Sequence, residues 1–409
     1  MARSKIRNRF DKIKKIIGPG IITGSSGNDP AGIVTYTTVG ALFGYTLIWA
    51  LIIITPLMIV VQEMAGRIAI IQKKGFAFII KKNYGYKIAY ISVFILVIAN
   101  ITTIAADLAG MASVLGLLTD IHFLYFIAPI ALIISGIILF EDYKAIRKIL
   151  ISLSFLLILY IFSAIVAKPD WGIVVKSLLP NIQGSTLFLG ALIGMIGTTI
   201  SPYMLFWQAA EEIEEKHKVL HAKELEWDTI IGMGWSNIIS AFIIIASGAT
   251  LFIHNIQIEN ISDIAIALQP IAGNFAYGLF TIGIIVSGFL ALPVLAGSTA
   301  YAISDIFDWK EGLSKKIHMA KGFYLTIILS MVVGTIVSFL PIEPVIFLYY
   351  TQILNGFLTP FLITILLILC NNKAIMGAKN VNGPIKNTIG ILSVLLLITL
   401  DIFLIIGLV

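Results

Sequence analysis

The chain has 409 residues, 58% of them hydrophobic and 12% charged, with a formal net charge of +6. Soluble domains average about 45–50% apolar and about 25% charged residues, so this balance excludes a soluble globular protein and fits a chain solvated by lipid. Its Lys and Arg are scattered rather than gathered on one soluble face, which excludes a nucleic-acid partner. The single cysteine, Cys370, excludes an internal disulfide and a multi-thiolate metal site.

Residues 1–15 are a basic tail, and the apolar run after it has no small-residue cleavage site, so the tail is read as cytoplasmic and not as a signal peptide. Apolar stretches long enough to cross a bilayer, about 20 residues, then follow at 17–42, 45–72, 88–118, 122–140, 146–167, 184–209, 229–255, 273–303, 322–340, 343–370 and 387–408. The expected fold is all-α and polytopic, with about 11 transmembrane helices joined by short links. The longest polar links are 73–87 and 210–228. The second carries Glu211, Glu212, Glu214, Glu215, Glu224 and Glu226 and reads as a solvated amphipathic connector. With the N-terminus inside, 26 of the 28 Lys and Arg fall in cytoplasmic segments, and only Lys168 and Lys176 fall outside. By the positive-inside rule this places the N-terminus in the cytoplasm and the C-terminus outside the cell membrane.

The helices divide as five, five and one: a first repeat at 16–167, a second at 184–370 and an extra helix at 387–408. The first and sixth carry matching interruptions, Thr23-Gly24-Ser25-Ser26-Gly27-Asn28-Asp29-Pro30 and Gly194-Met195-Ile196-Gly197-Thr198-Thr199-Ile200-Ser201-Pro202. Broken helices at corresponding places in two halves point to an inverted-repeat transporter with its site near the midplane.

Asp29 sits in the first interruption. A carboxylate at a helix centre costs about 2.5–3.5 kcal/mol on insertion scales, so it needs a partner or a task. Pro30 removes a backbone donor and frees nearby carbonyls, and carboxylate with carbonyl oxygen is what a hard cation binds. The competing reading is an Asp that caps the resumed helix. Thr198, Thr199 and Ser201 flank the second break. Their oxygens either face Asp29 across the repeat interface or fold back on their own helix. Asp107, in the third helix, is a cation-path residue or a structural acid. Glu63 and Arg67, at i and i+4, read as an intrahelical ion pair, and Asp401 as structural. Gln352 and Asn355, one turn apart in the tenth helix, reach either the ion or a neighbouring helix. The five histidines, His122, His217, His221, His254 and His318, all fall in loops or at span ends. Motifs for zinc proteolysis, serine hydrolysis and phosphate binding are missing, so an enzyme or a nucleotide-driven pump has little to work with.

At these residues the chain resembles the Nramp family of divalent-metal transporters. The likeness runs through Gly18-Pro19-Gly20-Ile21-Ile22-Thr23-Gly24, the pair Asp29-Pro30, Gly197 to Gln208 and Thr351 to Pro360, and by span order it covers the whole chain. It implies a LeuT-like fold with the first and sixth helices unwound around the ion, and no cofactor: the cation is substrate. The family usually reads Asp-Pro-Gly-Asn, but here the sequence is Asp29-Pro30-Ala31-Gly32, so Gly32 replaces an asparagine ligand. Its Met-Pro-His becomes Ser201-Pro202-Tyr203, which removes a thioether and an imidazole, and an acid expected three residues beyond Asp107 is Gly110.

The resemblance thus implies Asp29, Gly32, Thr198, Ser201 and Gln352 around the metal, with Asn28, Asp107, Tyr203 and Asn355 along a cation path. Loss of sulfur and of a side chain at Gly32 suggests a harder, roomier site, similar to the Nramp-related magnesium transporters. Mg²⁺ comes first and Mn²⁺ second. Proton coupling is expected to be weak or absent. A sodium-coupled symporter of amino acids or another small organic solute is the alternative on this fold, and a receptor or scaffold is a third class.

Overall fold

The computed structural model describes residues 19–141, 143–214, 222–256, 258–266, 273 and 276–408. The basic tail 1–15, and with it part of the 210–228 connector including Glu215, His217 and His221, lie outside the described residues. Two short helices, α1 (Pro19–Ser26) and α2 (Pro30–Phe43), occupy the place of the first expected span. Then come α3 (Ile48–Gln72), α4 (Phe76–Thr119), α5 (Leu124–Phe140), α6 (Tyr143–Leu156), α7 (Leu159–Val166) and the short α8 (Trp171–Lys176). The second half holds α9 (Thr186–Thr199), α10 (Pro202–Glu214), α11 (Ala222–Ser247) and α12 (Ile261–Ala265). It continues with α13 (Ala276–Phe307), α14 (Lys321–Val337), α15 (Pro344–Asn371), α16 (Lys373–Met376) and α17 (Pro384–Leu408).

Eight helical stretches among the described residues are long and apolar enough to cross a membrane; three are composite, α6 with α7, α9 with α10, and α11 with the π-helical turn Gly248–Phe252. Three shorter apolar helices, α2, α5 and α14, fall where the first, fourth and ninth spans were expected. Burial sorts these stretches into core and periphery. The apolar window of the α9–α10 stretch is 89% buried against 28% for α17, so the sixth span is central and the last lies at the edge.

Close backbone approach fixes the centre. A Cβ on Gly24 would come within 2.7 Å of the Gly232 carbonyl carbon, so Gly20 and Gly24, spaced small-xxx-small, let α1 lie directly on α11. The Gly20 N–H donates to Asp228 Oδ2 at 2.7 Å, which caps α1 from the same neighbour. Likewise a Cβ on Gly197 would sit 2.5 Å from Gly356 N, so α9 and α15 cross back to back.

Two polar links differ from the sequence reading. Residues 76–84 of the first link are helical and form the first part of α4, which kinks at Gly85, whose φ of +82° suits glycine. In the second, Glu211 and Glu212 are buried at 1% and 4% exposure, not solvated. Helix α10 carries them inward, where Gln208 Nε2 donates to Glu212 Oε1 at 2.9 Å and Tyr301 OH donates to Glu214 Oε1 at 2.7 Å. The Glu63–Arg67 pair forms as its spacing implies, at 2.8 Å. Arg67 also donates to Asn382 Oδ1 at 2.5 Å and to the Asn380 carbonyl, and Lys386 lies 3.1 Å from Glu63, which ties the end of α3 to the start of α17.

Candidate cation site at the two helix breaks

Pro30 has no N–H, so it opens α2 at no cost, and Asp29 takes the N-cap position with φ −65° and ψ 172°. Its Oδ1 accepts from Gly32 N at 2.5 Å. The capping reading therefore holds, and it engages one carboxylate oxygen. The other, Oδ2, accepts from Gln352 Nε2 of α15 at 3.4 Å. The second break is built alike: α9 stops at Thr199, Ile200 leaves helical geometry at φ −125° and ψ 61°, and Pro202 opens α10.

Hydroxyls join the two breaks. Thr198 Oγ1 donates to Gly27 O at 2.8 Å, and Tyr203 OH donates to Ser26 O at 2.8 Å. Tyr36 OH and Thr199 Oγ1 are hydrogen-bonded at 2.9 Å. The third span adds Asp107, whose Oδ1 accepts from Ala31 N at 3.1 Å, two residues beyond Asp29. From α15, Asn355 Nδ2 donates to Gln352 Oε1 and to Thr103 Oγ1, each at 3.1 Å. Asp107 Oδ2 and Asn355 Oδ1 are buried with no hydrogen-bond partner. One continuous polar strand thus crosses the core through Asp29, Gln352, Asn355 and Thr103.

Electrostatically the site is two carboxylates in a water-poor interior, Asp29 1% and Asp107 0% exposed. No cation contacts either one among the hydrogen bonds and ion pairs of the described residues. A carboxylate that is ionised in such a place needs a compensating ion. No group of three or more His, Cys, Asp or Glu gathers among the described residues. A bound ion would therefore fill its shell from amide, carbonyl, hydroxyl and water oxygens around one or two carboxylates, the pattern of a hard divalent cation.

Asp29, Gln352, Asn355, Asp107, Thr198 and Tyr203 are brought together. Asn28 is turned to the seventh span, where its Nδ2 donates to Ser236 Oγ at 2.8 Å and its Oδ1 accepts from Ser240 Oγ at 3.0 Å. Ser201 folds back, its Oγ donating to Gly197 O at 2.5 Å, the arrangement the sequence weighed against the site. The roomier site expected at Gly32 is absent. A Cβ there would lie 2.5 Å from Gly27 O of its own break and 2.6 Å from Thr198 Oγ1 of the opposite one, so the two breaks together fill that space. Met204 reaches the first break instead, its methyl 3.6 Å from where a Cβ on Gly27 would stand. Sequence reading missed Tyr36, Thr103, Ser236 and Ser240. Their one signal was a polar residue on an otherwise apolar helix, which many structural serines and threonines share.

Residues 20–407 match the family model described as natural resistance-associated macrophage protein-like. A Clostridium acetobutylicum protein named divalent metal cation transporter MntH is 25% identical over 423 aligned positions, covering 98% of this chain and 93% of that one. In fold the chain is similar to the Eremococcus coleocola manganese transporter, solved in complex with an aromatic bis-isothiourea substituted compound. The TM-score is 0.77 at 19% identity, over 97% of this chain and 87% of that one. A Na⁺-coupled sialic acid symporter in a substrate-bound outward-open state shares the fold at TM-score 0.61 and 15% identity, over 94% and 90% of the two chains. The fold is LeuT-like, with its first and sixth helices unwound.

Proposed function

The chain belongs to the Nramp family, and on that premise we propose that it is a carrier of divalent metal cations, working by alternating access and not an enzyme. The observation that carries this reading is the buried Asp29 carboxylate in an unwound stretch, with Gln352 Nε2 3.4 Å from its Oδ2 and Asp107 bonded two residues further on. Residues 16–167 and 184–370 are the two halves that move against each other around it, with residues 1–15 in the cytoplasm and the chain end outside. Gly27 and Gly32 each lie against the opposite break with no space for a Cβ free of contact, which supports an ion rather than an amino acid as cargo.

Mg²⁺ is the favoured ion. The candidate donors are all oxygen, and carboxylate, carbonyl and water suit Mg²⁺ where thioether suits softer metals. Mn²⁺ is the second reading, favoured by one specific observation, the Met204 methyl beside Gly27. Proton coupling is weak, since Tyr203 stands where an imidazole would shuttle protons. At Gly110 a Cβ would already meet Leu348 Cδ1 at 2.8 Å. The test is flux of Mg²⁺, Mn²⁺ and Ca²⁺ into proteoliposomes with internal pH recorded in parallel. Mg²⁺ uptake with little acidification is expected. Uptake of an amino acid with Na⁺ and of no divalent ion would overturn the reading, and strong acidification lost in Asp107→Asn would overturn the weak coupling.

A further inference from the structure

We infer that Tyr203 sets ion selectivity by capping the Ser26 carbonyl against direct coordination. The inference rests on the carrier reading above and on the partners of the carbonyls from Thr23 to Gly27. A helix leaves its last four carbonyls without intrahelical partners. Here Thr23 O accepts from Ser26 Oγ at 2.7 Å. Gly24 O accepts from Gly27 N at 3.1 Å, and Ser25 O from Asn28 N at 3.0 Å. Donors within the turn therefore close the first three. Ser26 O, the last of the four, and Gly27 O just beyond the helix are each met by a hydroxyl from the sixth span: Tyr203 at 2.8 Å and Thr198 at 2.8 Å. An arriving ion finds both of these carbonyls covered.

The two caps are not equivalent. Thr198 is short and sits on the last turn of α9. Tyr203 carries its hydroxyl on a rigid ring, is 1% exposed and spans from α10 to the other break. While it donates to Ser26 O, its phenolic oxygen keeps lone pairs that can accept a hydrogen bond from a water held by the ion. A cation that keeps its waters therefore gains an acceptor at Tyr203. One that sheds them must first break a buried hydrogen bond to reach Ser26 O. Mg²⁺ dehydrates reluctantly, while Ca²⁺ takes protein oxygens directly in flexible geometry. Tyr203 thus favours the hydrated ion.

Tyr203→Phe keeps the ring and removes only the cap. In proteoliposomes, half-saturating concentrations for Mg²⁺, Mn²⁺ and Ca²⁺ are measured for both proteins. The expected result is a fall of about five- to tenfold in preference for Mg²⁺ over Ca²⁺, the size of effect one buried hydrogen bond carries, with Mn²⁺ moving in the same direction. Wild-type transport with an unchanged ratio in the variant overturns this inference alone. Wild-type vesicles that move none of the three ions overturn the carrier reading and this inference with it. If the variant transports nothing, calorimetric titration of each ion into the purified wild type and variant reads the same ratio as binding constants, and a fall or its absence decides in the same way.

Discussion

At Asp29 one carboxylate does two jobs, and a substitution has to separate them. Asp29→Ala removes both the charge and the cap on Gly32 N, and loss of such a cap alone costs about 1 kcal/mol. Asp29→Asn keeps a capping oxygen and removes only the charge. Its divalent flux should fall at least a hundredfold while its thermal unfolding stays within a few degrees of wild type. Wild-type flux in a folded Asp29→Asn protein would end the assignment. The structure also divides two substitutions that the sequence treats alike. Ser201→Met brings a thioether to the second break and should shift preference from Mg²⁺ toward Cd²⁺ and Mn²⁺, read as stronger Cd²⁺ inhibition of transport. Gly32→Asn cannot act in the same way, because its Cβ meets Gly27 O at 2.5 Å and Thr198 Oγ1 at 2.6 Å. It should lower the yield of folded protein instead, visible as loss of a monodisperse peak in size-exclusion chromatography. Asp29 and Pro30 were legible in the sequence because breaking residues inside an apolar run have few explanations, whereas Gln352 was assigned to the ion only through the family resemblance. The turning of Asn28 toward Ser236 and the reach of Tyr203 to Ser26 were not, since both depend on how a half-helix rotates after its break.

Helices were legible by the same logic: length and hydropathy locate apolar spans, and a charge bias orders them. Polar links were the weak point, because a polar residue looks solvated until a neighbouring helix supplies its partner. Glu211 and Glu212 at the end of α10 are the clearest case, buried at 1% and 4% exposure. Between α13 and α14, burial first and the nearby Asp305 carboxylate second push the Glu311 acid up to about 9 from an ordinary 4.5, against the opposing pull of Lys315 and Lys74. The folded state thus favours the protonated form. The stability Glu311 contributes is fully present below about 4.5 and is lost as pH rises through about 9. The melting temperature of purified protein should therefore fall as pH rises between these limits, and Glu311→Gln should flatten that slope. A slope unchanged in the variant would place the pH dependence elsewhere.

For the whole molecule, orientation is the property to test, and the described contacts sharpen it. Lys386 at the start of α17 lies 3.1 Å from Glu63 of α3 and 3.4 Å from Glu226 of α11, while Lys81 of α4 lies 2.8 Å from Asp308 beyond α13. These contacts put basic residues from separate links at shared ends of the bundle, as an alternating topology requires. On the orientation proposed above, the bias of 26 of 28 Lys and Arg predicts that the Lys386 end faces the cytoplasm. The turn at Asp120, between α4 and α5, belongs to the opposite face. Cys370 is the only cysteine and is buried, so single introduced cysteines can be labelled against a low background. In intact cells Asp120→Cys should react with a membrane-impermeant maleimide and Lys379→Cys should not, until the membrane is opened. A tag after Met1 should resist external protease, and one after Val409 should be cleaved. Labelling at Lys379→Cys but not at Asp120→Cys would invert the orientation. Equal access at both tags would require an even number of spans, and with it a different pairing of the two halves around Asp29.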